Sequence, residues 1–146
     1  MSELQGADEL LIGVIQDLRS YEKLADRLEA PQAIYAGHPN RPQDWELGIT
    51  IMPVTAGSEH LGAGVSRNYR VQVTLLATWG WWDDQNWPML EMQRVMSRVA
   101  DRMDRANSMP NHRNAGTDAG AAVETEDGER MALSADWLIT HAQTFE

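Results

Sequence analysis

The sequence predicts an α+β fold: a mostly antiparallel sheet with two helices packed on one face, in the order α-β-β-β-α-β-β, with one long hairpin arm. Three observations predict it. Apolar residues recur at helical spacing in two separate segments. A strict alternation places Tyr69, Val71, Val73, Leu75, Ala77 and Trp79 on one face and Arg70, Gln72, Thr74, Leu76 and Thr78 on the other. Asp127-Gly128 separates two further extended runs, which marks a hairpin.

Taken in order, residues 7–30 read as one helix. Leu11, Val14, Leu18, Tyr21, Ala25 and Leu28 form its apolar stripe, Asp8 and Glu9 suit the positive end of its dipole, and Pro31 ends it. Residues 33–36 are a short strand, and 37–42 (Gly-His-Pro-Asn-Arg-Pro) a loop by turn chemistry. Leu47, Ile49 and Ile51 alternate in a second strand that closes near Pro53. Residues 55–68 carry three glycines and few apolar anchors. Lying between two strands that pair antiparallel, they are expected to form a long hairpin arm, mobile in an isolated subunit.

The third strand covers residues 67–79 and runs into a tryptophan-rich corner, Trp79-Gly80-Trp81-Trp82-Asp83-Asp84. A helix starts near Asn86, with Pro88 early, where its missing N–H does no harm. Its buried stripe is Met89, Met92, Val95, Met96, Val99 and Met103. Residues 107–120 are polar and rich in Gly and Asn, a second flexible loop. The last hairpin joins residues 121–126 to a strand in which Met131, Leu133, Ala135, Trp137 and Ile139 alternate.

Length and composition bound the class. A chain of 146 residues fits one domain, residues 1–146, which at this size buries roughly 70% of the surface its unfolded form exposes. Cysteine is absent, which removes disulfides and thiolate chemistry. No apolar run has membrane-spanning length, and no signal segment opens the chain; a soluble protein is expected. Acidic residues outnumber basic ones 22 to 12, for a net charge of −10, and Lys23 is the only lysine. That balance opposes general binding along nucleic-acid backbones. It fits either a mildly acidic cytoplasmic protein from a GC-rich genome or, slightly favoured, a surface adapted to high salt, where carboxylates hold water and self-repulsion is screened.

No constellation supports catalysis or a metal, and no cofactor is expected. Asp83 and Asp84 are adjacent on one segment with no nearby acidic or His partner, so they read as solvated carboxylates. His38, His60, His112 and His141 are scattered. Ser58, Glu59 and His60 lack a strained nucleophile turn. The six tryptophans admit a stacking platform for sugars or bases, but core and interface roles weigh more, with Trp79 and Trp137 facing the core. Arg94, Arg98 and Arg102 recur every four residues, with Arg105 one turn on. They read either as a solvated face balanced by Glu91 and Asp101 or as a basic strip. Such a strip would meet an acidic neighbour or line a channel that DNA passes through.

The element order, the two long polar loops, the aromatic third strand feeding a helix and the final Trp137-Leu138-Ile139 strand together resemble the tail terminator proteins. These are the tail completion, or tail-to-head joining, proteins of long-tailed phages and archaeal tailed viruses. The likeness spans nearly the whole chain and rests on pattern rather than an invariant motif. It implies a hexameric ring that caps the tail tube and joins it to the neck under the capsid. The implied partners are further copies of the chain, a tail tube protein and a neck or head-closure protein, without catalytic residues or a membrane. Combined with the composition, it implies the virion of a virus of a halophilic archaeon. Contacts are then expected on Glu59, His60 and Leu61 in the arm, His112 and Arg113 in the loop, and Trp81, Trp82 and Trp87 at the corner. The run from Trp79 to Trp87 holds more tryptophan than the family pattern needs. The alternatives are another neck or tail component, such as a head-closure or tube subunit, or a tryptophan-rich carbohydrate-binding module. A tube subunit would continue its sheet into an inner barrel, for which too few strands are visible.

Overall fold

A computed structural model describes residues 7–61, 64–105, 112–116 and 120–144. The first helical stripe forms two helices rather than one: α1 (Ala7–Arg19) and α2 (Glu22–Ala25). The expected continuous helix breaks at Ser20, whose hydroxyl donates to the Asp17 carbonyl at 2.7 Å. A serine that bonds its own backbone in this way competes with the helical ladder, and Tyr21 beyond it is extended. Leu10, Val14, Ile15, Leu18 and Leu24 are buried, with Leu11, Tyr21 and Leu28 packed at the margin.

After a 3-10 turn at Pro31–Ala33 come β1 (Ile34–Ala36), β2 (Leu47–Leu61) and β3 (Gly64–Thr78). β1 runs parallel to β2, and β2 pairs antiparallel with β3 from Leu47↔Ala77 out to Leu61↔Gly64. Two helices follow, α3 (Trp79–Asp84) and α4 (Pro88–Arg105). The strands β4 (His112–Gly116), β5 (Val123–Glu124) and β6 (Arg130–Thr144) complete the chain. β6 pairs with β3 along its length, and the sheet order is β1-β2-β3-β6-β4 with β5 also on β6. Every pairing except β1–β2 is antiparallel.

The core lies between one face of this sheet and helices α1 and α4. Val71, Val73, Leu75 and Ala77 of β3 stand in register with Trp137, Ala135, Leu133 and Met131 of β6. They join Ile49 and Ile51 and the α4 stripe of Met92, Val95, Met96, Val99 and Met103 in one apolar cluster. The two helices are tied by Arg102, which donates to both Asp17 carboxylate oxygens at 3.0 and 2.6 Å. The buried Trp137 indole donates to Asp104 at 2.9 Å, holding α4 over β6. On the opposite face the segment before β2 covers Gly48, where Tyr35 and Trp45 approach, and the Gln43 amide donates to the Tyr35 hydroxyl. Leu76 is thereby buried on the side that alternation alone assigns to solvent.

Three expectations are corrected and one is borne out. Residues 107–120 hold β4, which lacks apolar alternation; its strand state comes from the unpaired backbone groups that β6 offers along its edge. Residues 55–68 form the expected hairpin arm, laddered in register to the last described pair. Trp79 does not face the core: Thr78 ends the strand by accepting the Trp81 amide, and Trp79, 37% exposed, donates its indole N–H to the Gly128 carbonyl. Met89 is exposed rather than buried, because the first turn of α4 lies outside the packed stripe.

Candidate assembly surfaces

The arm is built from the outer halves of β2, β3 and β6, with β4 alongside. One rung reads Ser58↔Arg67↔His141↔His112 across four strands, and the next inward Gly57↔Asn68↔Thr140↔Arg113. Glu59, His60 and Leu61 lie on the three rungs beyond, opposite Ser66, Val65 and Gly64. The structure therefore brings the arm and loop candidates onto one sheet, which sequence spacing did not reveal. The side chains of Glu59, His60, Leu61, His112, Arg113 and Arg105 lie outside the described residues.

The aromatic candidates separate. Trp81 is buried in the core, its burial fixed by the Thr78 cap that starts α3, so it is not presented at the surface as expected. Trp82 packs at the core margin and meets Trp79 edge-on, with ring centroids 6.2 Å apart. Trp87 is 71% exposed, and Met89 and Leu90 follow it on the surface. Sequence reading missed these two because Met89 falls on the helical stripe. An apolar run of this kind, beside exposed Asp83 and Asp84, has the composition of an interface core with a polar rim. Trp79 and Trp82 meet at an interplanar angle of 76° and Trp81 is inside, so these three do not present parallel faces.

The arginine strip is compensated within the chain. Arg94 reaches Glu91 at 3.5 Å, and Glu91 also pairs with Arg27 from α2's far side. Arg98 reaches Asp101 at 3.5 Å. Arg102 is committed to Asp17, whose hydrogen bonds raise its already high pKa, and its guanidinium lies 5.8 Å from the Tyr21 ring centroid. Only Arg94 among these three is mostly exposed.

Away from these surfaces, Pro39, Asn40 and Pro42 face the β5–β6 turn across a small cleft. In that turn Asp127 accepts from the Thr125 hydroxyl at 2.7 Å and the Glu129 amide at 3.0 Å. These bonds hold its carboxyl below the usual range. Arg130 lines the cleft, and among the described residues its Nε has no hydrogen-bond partner. Among the described residues no group of acidic or His side chains could hold a metal ion, and no helix is long and apolar enough to cross a membrane.

No protein-family model matches the chain, and no curated protein matches it. Among solved structures it is similar to a chain of the "Virion of native gene transfer agent (GTA) particle", at 14% sequence identity and a TM-score of 0.68. The match covers 95% of this chain and 100% of that one. The six-stranded sheet with its helices, arm included, is thus a fold shared along nearly the whole length with a virion component.

Proposed function

We propose that the chain is a structural protein of a virion, and within the virion the ring subunit that caps the tail tube and meets the neck. The observation that carries the reading is the end-to-end likeness of its fold to a chain of a virion-like particle. Two surface features support it: a four-stranded arm and an exposed apolar corner at Trp87, Met89 and Leu90. Trp87, Met89 and Leu90 are exposed together, and an apolar cluster of that kind, unlike a single exposed residue, fits a protein contact. The role is architectural: a preformed body packs side by side, and its partners are further copies, a tube protein and a neck protein. Six copies is the expected number. Channel contact with DNA gains least support, since Arg94, Arg98 and Arg102 each reach a carboxylate of their own chain. Net charge −10 and a single lysine favour a high-salt host.

A tube subunit is the second reading, favoured by the sheet's six strands, more than the sequence displayed. Electron microscopy of the purified protein in molar salt separates them. A terminator gives single or paired rings that stop; a tube subunit stacks into open tubes. A monomer that binds a sugar with quenched tryptophan fluorescence would defeat both.

A further inference from the structure

Past Ile51, the outer side of β2 has no strand beside it among the described residues. β1 ends at Ala36, opposite Ile51, and the Gly37 amide donates to the Ile51 carbonyl at 3.2 Å. That bond fixes how the β2 backbone faces. Ile49, Ile51 and Pro53 turn their backbone groups outward, while the residues between them bond to β3. Pro53, lacking an N–H, thus sits where it removes no bond from the β2–β3 ladder. Val54 is an extra residue: Pro53 pairs with Val71 but Thr55 with Arg70. Beyond this bulge the outward residues are therefore Ala56, Ser58 and His60.

The same bookkeeping applies at the other edge. The β3 residues that face β2 are the even-numbered ones, so Val71 and its partner Trp137 bond to each other. Leu138 and Thr140 then face β4, bonding Ala115 and Arg113 and leaving His112, Asn114 and Gly116 outward. Among the described residues, each of these edges presents three residues whose backbone groups no strand pairs. Neither residues 55–61 nor 112–116 contain lysine or proline, the usual devices for blunting an edge. Beyond Pro53 and the bulge, two edges of matched length are open to a strand.

Strand direction points to what that strand is. β2, β3, β6 and β4 alternate in direction, so the two outer strands run oppositely. A second copy placed beside the first by rotation about an axis along the strands keeps all its directions. Its β4 then meets β2 antiparallel, and the alternation continues across the joint. Charge favours the same choice: β2 carries Glu59 and β4 carries Arg113. With position 56 opposite 116 of the next copy, acidic position 59 falls on the same rung as basic position 113, a favourable cross-strand pairing of residue types. A joint between unlike edges is heterologous, the type that closes into rings.

We propose that residues 56–60 of β2 pair antiparallel with residues 112–116 of β4 in the next copy, so that the arms of a ring form one continuous sheet. This rests on the ring reading above.

Because the chain has no cysteine, engineered disulfides report the joint cleanly. The double variant Ser58→Cys, Asn114→Cys, oxidised in molar salt, is expected to give a ladder of covalent oligomers ending at the ring's copy number. Ser58→Cys alone should give none; dimers from it would mean β2 pairs with β2 and would overturn the proposal. Separately, Ala56→Pro with Ser58→Pro removes two outward N–H groups and leaves the bonds to β3 in place. It should keep the monomer's melting temperature and circular dichroism while raising the concentration for half-assembly about tenfold or more. Rings that persist in this variant, without a β2–β4 cross-link, overturn the joint but leave the ring reading intact. Cross-linked open filaments without closed rings uphold the joint and defeat the ring. A wild-type chain that remains monomeric to millimolar concentration defeats both.

Discussion

Removing the Arg102 guanidinium should loosen the contact between α1 and α4. It holds both oxygens of Asp17, at 3.0 and 2.6 Å, and lies 5.8 Å from the Tyr21 ring centre. Asp17 is 10% exposed and Arg102 40%. A shielded bidentate pair contributes about 1.5–3 kcal/mol, and the arginine's exposure reduces this to about 1–1.5 kcal/mol. The ring contact adds about 0.5 kcal/mol. Arg102→Met should therefore cost about 1.5–2 kcal/mol, a fall in Tm of about 3–8 °C for a chain of this size. Thermal denaturation followed by circular dichroism measures the loss, and a cycle with Asp17→Asn isolates the pair. The coupling should be about 1 kcal/mol and should keep more than about half its value in molar KCl, because Asp17 is shielded. Zero coupling, with single-variant losses that simply add, would refute the reasoning that this pair joins the helices.

Other outcomes follow from single residues. Gly128→Ala should cost about 1 kcal/mol in chemical denaturation, because Gly128 has φ +72° and a Cβ would meet Glu124 Oε1 at 3.2 Å. Asp127 has a lowered pKa in the folded chain, so its stabilising effect is complete above its ordinary value and is lost as pH falls through the folded one. An acid titration of stability should therefore flatten below the ordinary carboxylate range in Asp127→Asn relative to the parent, while the two curves run parallel above it. Trp81→Ala should cost about 3–5 kcal/mol, as a buried tryptophan does, whereas Trp87→Ala should leave the melt within about 0.5 kcal/mol and weaken self-association measured by light scattering.

The framework was legible because its signals are periodic. Val71, Val73 and Leu75 alternate, and Met92, Val95, Met96 and Val99 recur at helical spacing; both patterns follow from burial on one face alone. Asp127-Gly128 announced its turn through the one backbone position that glycine accepts most readily. The rest depended on partners that no local window contains. β4 has the composition of a loop and becomes a strand because β6 runs beside it. Ser20 looks like any polar position in a helix, yet its bond to Asp17 splits the first stripe. Leu76 follows the alternation faithfully and is buried nevertheless, since Tyr35 and Trp45 return over that face. At the corner, alternation assigns Trp79 to the core and leaves Trp81, Trp82 and Trp87 to the surface. The Thr78 cap ends the strand and starts α3 so that Trp81 turns inward, while Trp79 swings to the Gly128 carbonyl and Trp87, beyond α3, is exposed. For the arginines, spacing revealed the strip but not that Asp17, on another helix, would claim Arg102.

The central claim is assembly into a closed ring, and sedimentation equilibrium of the purified chain in molar KCl tests it most directly. The expected result is a concentration-dependent species of about six times the 16.4 kDa chain mass, with no larger polymer. A single species at the chain mass across the whole concentration range would contradict it.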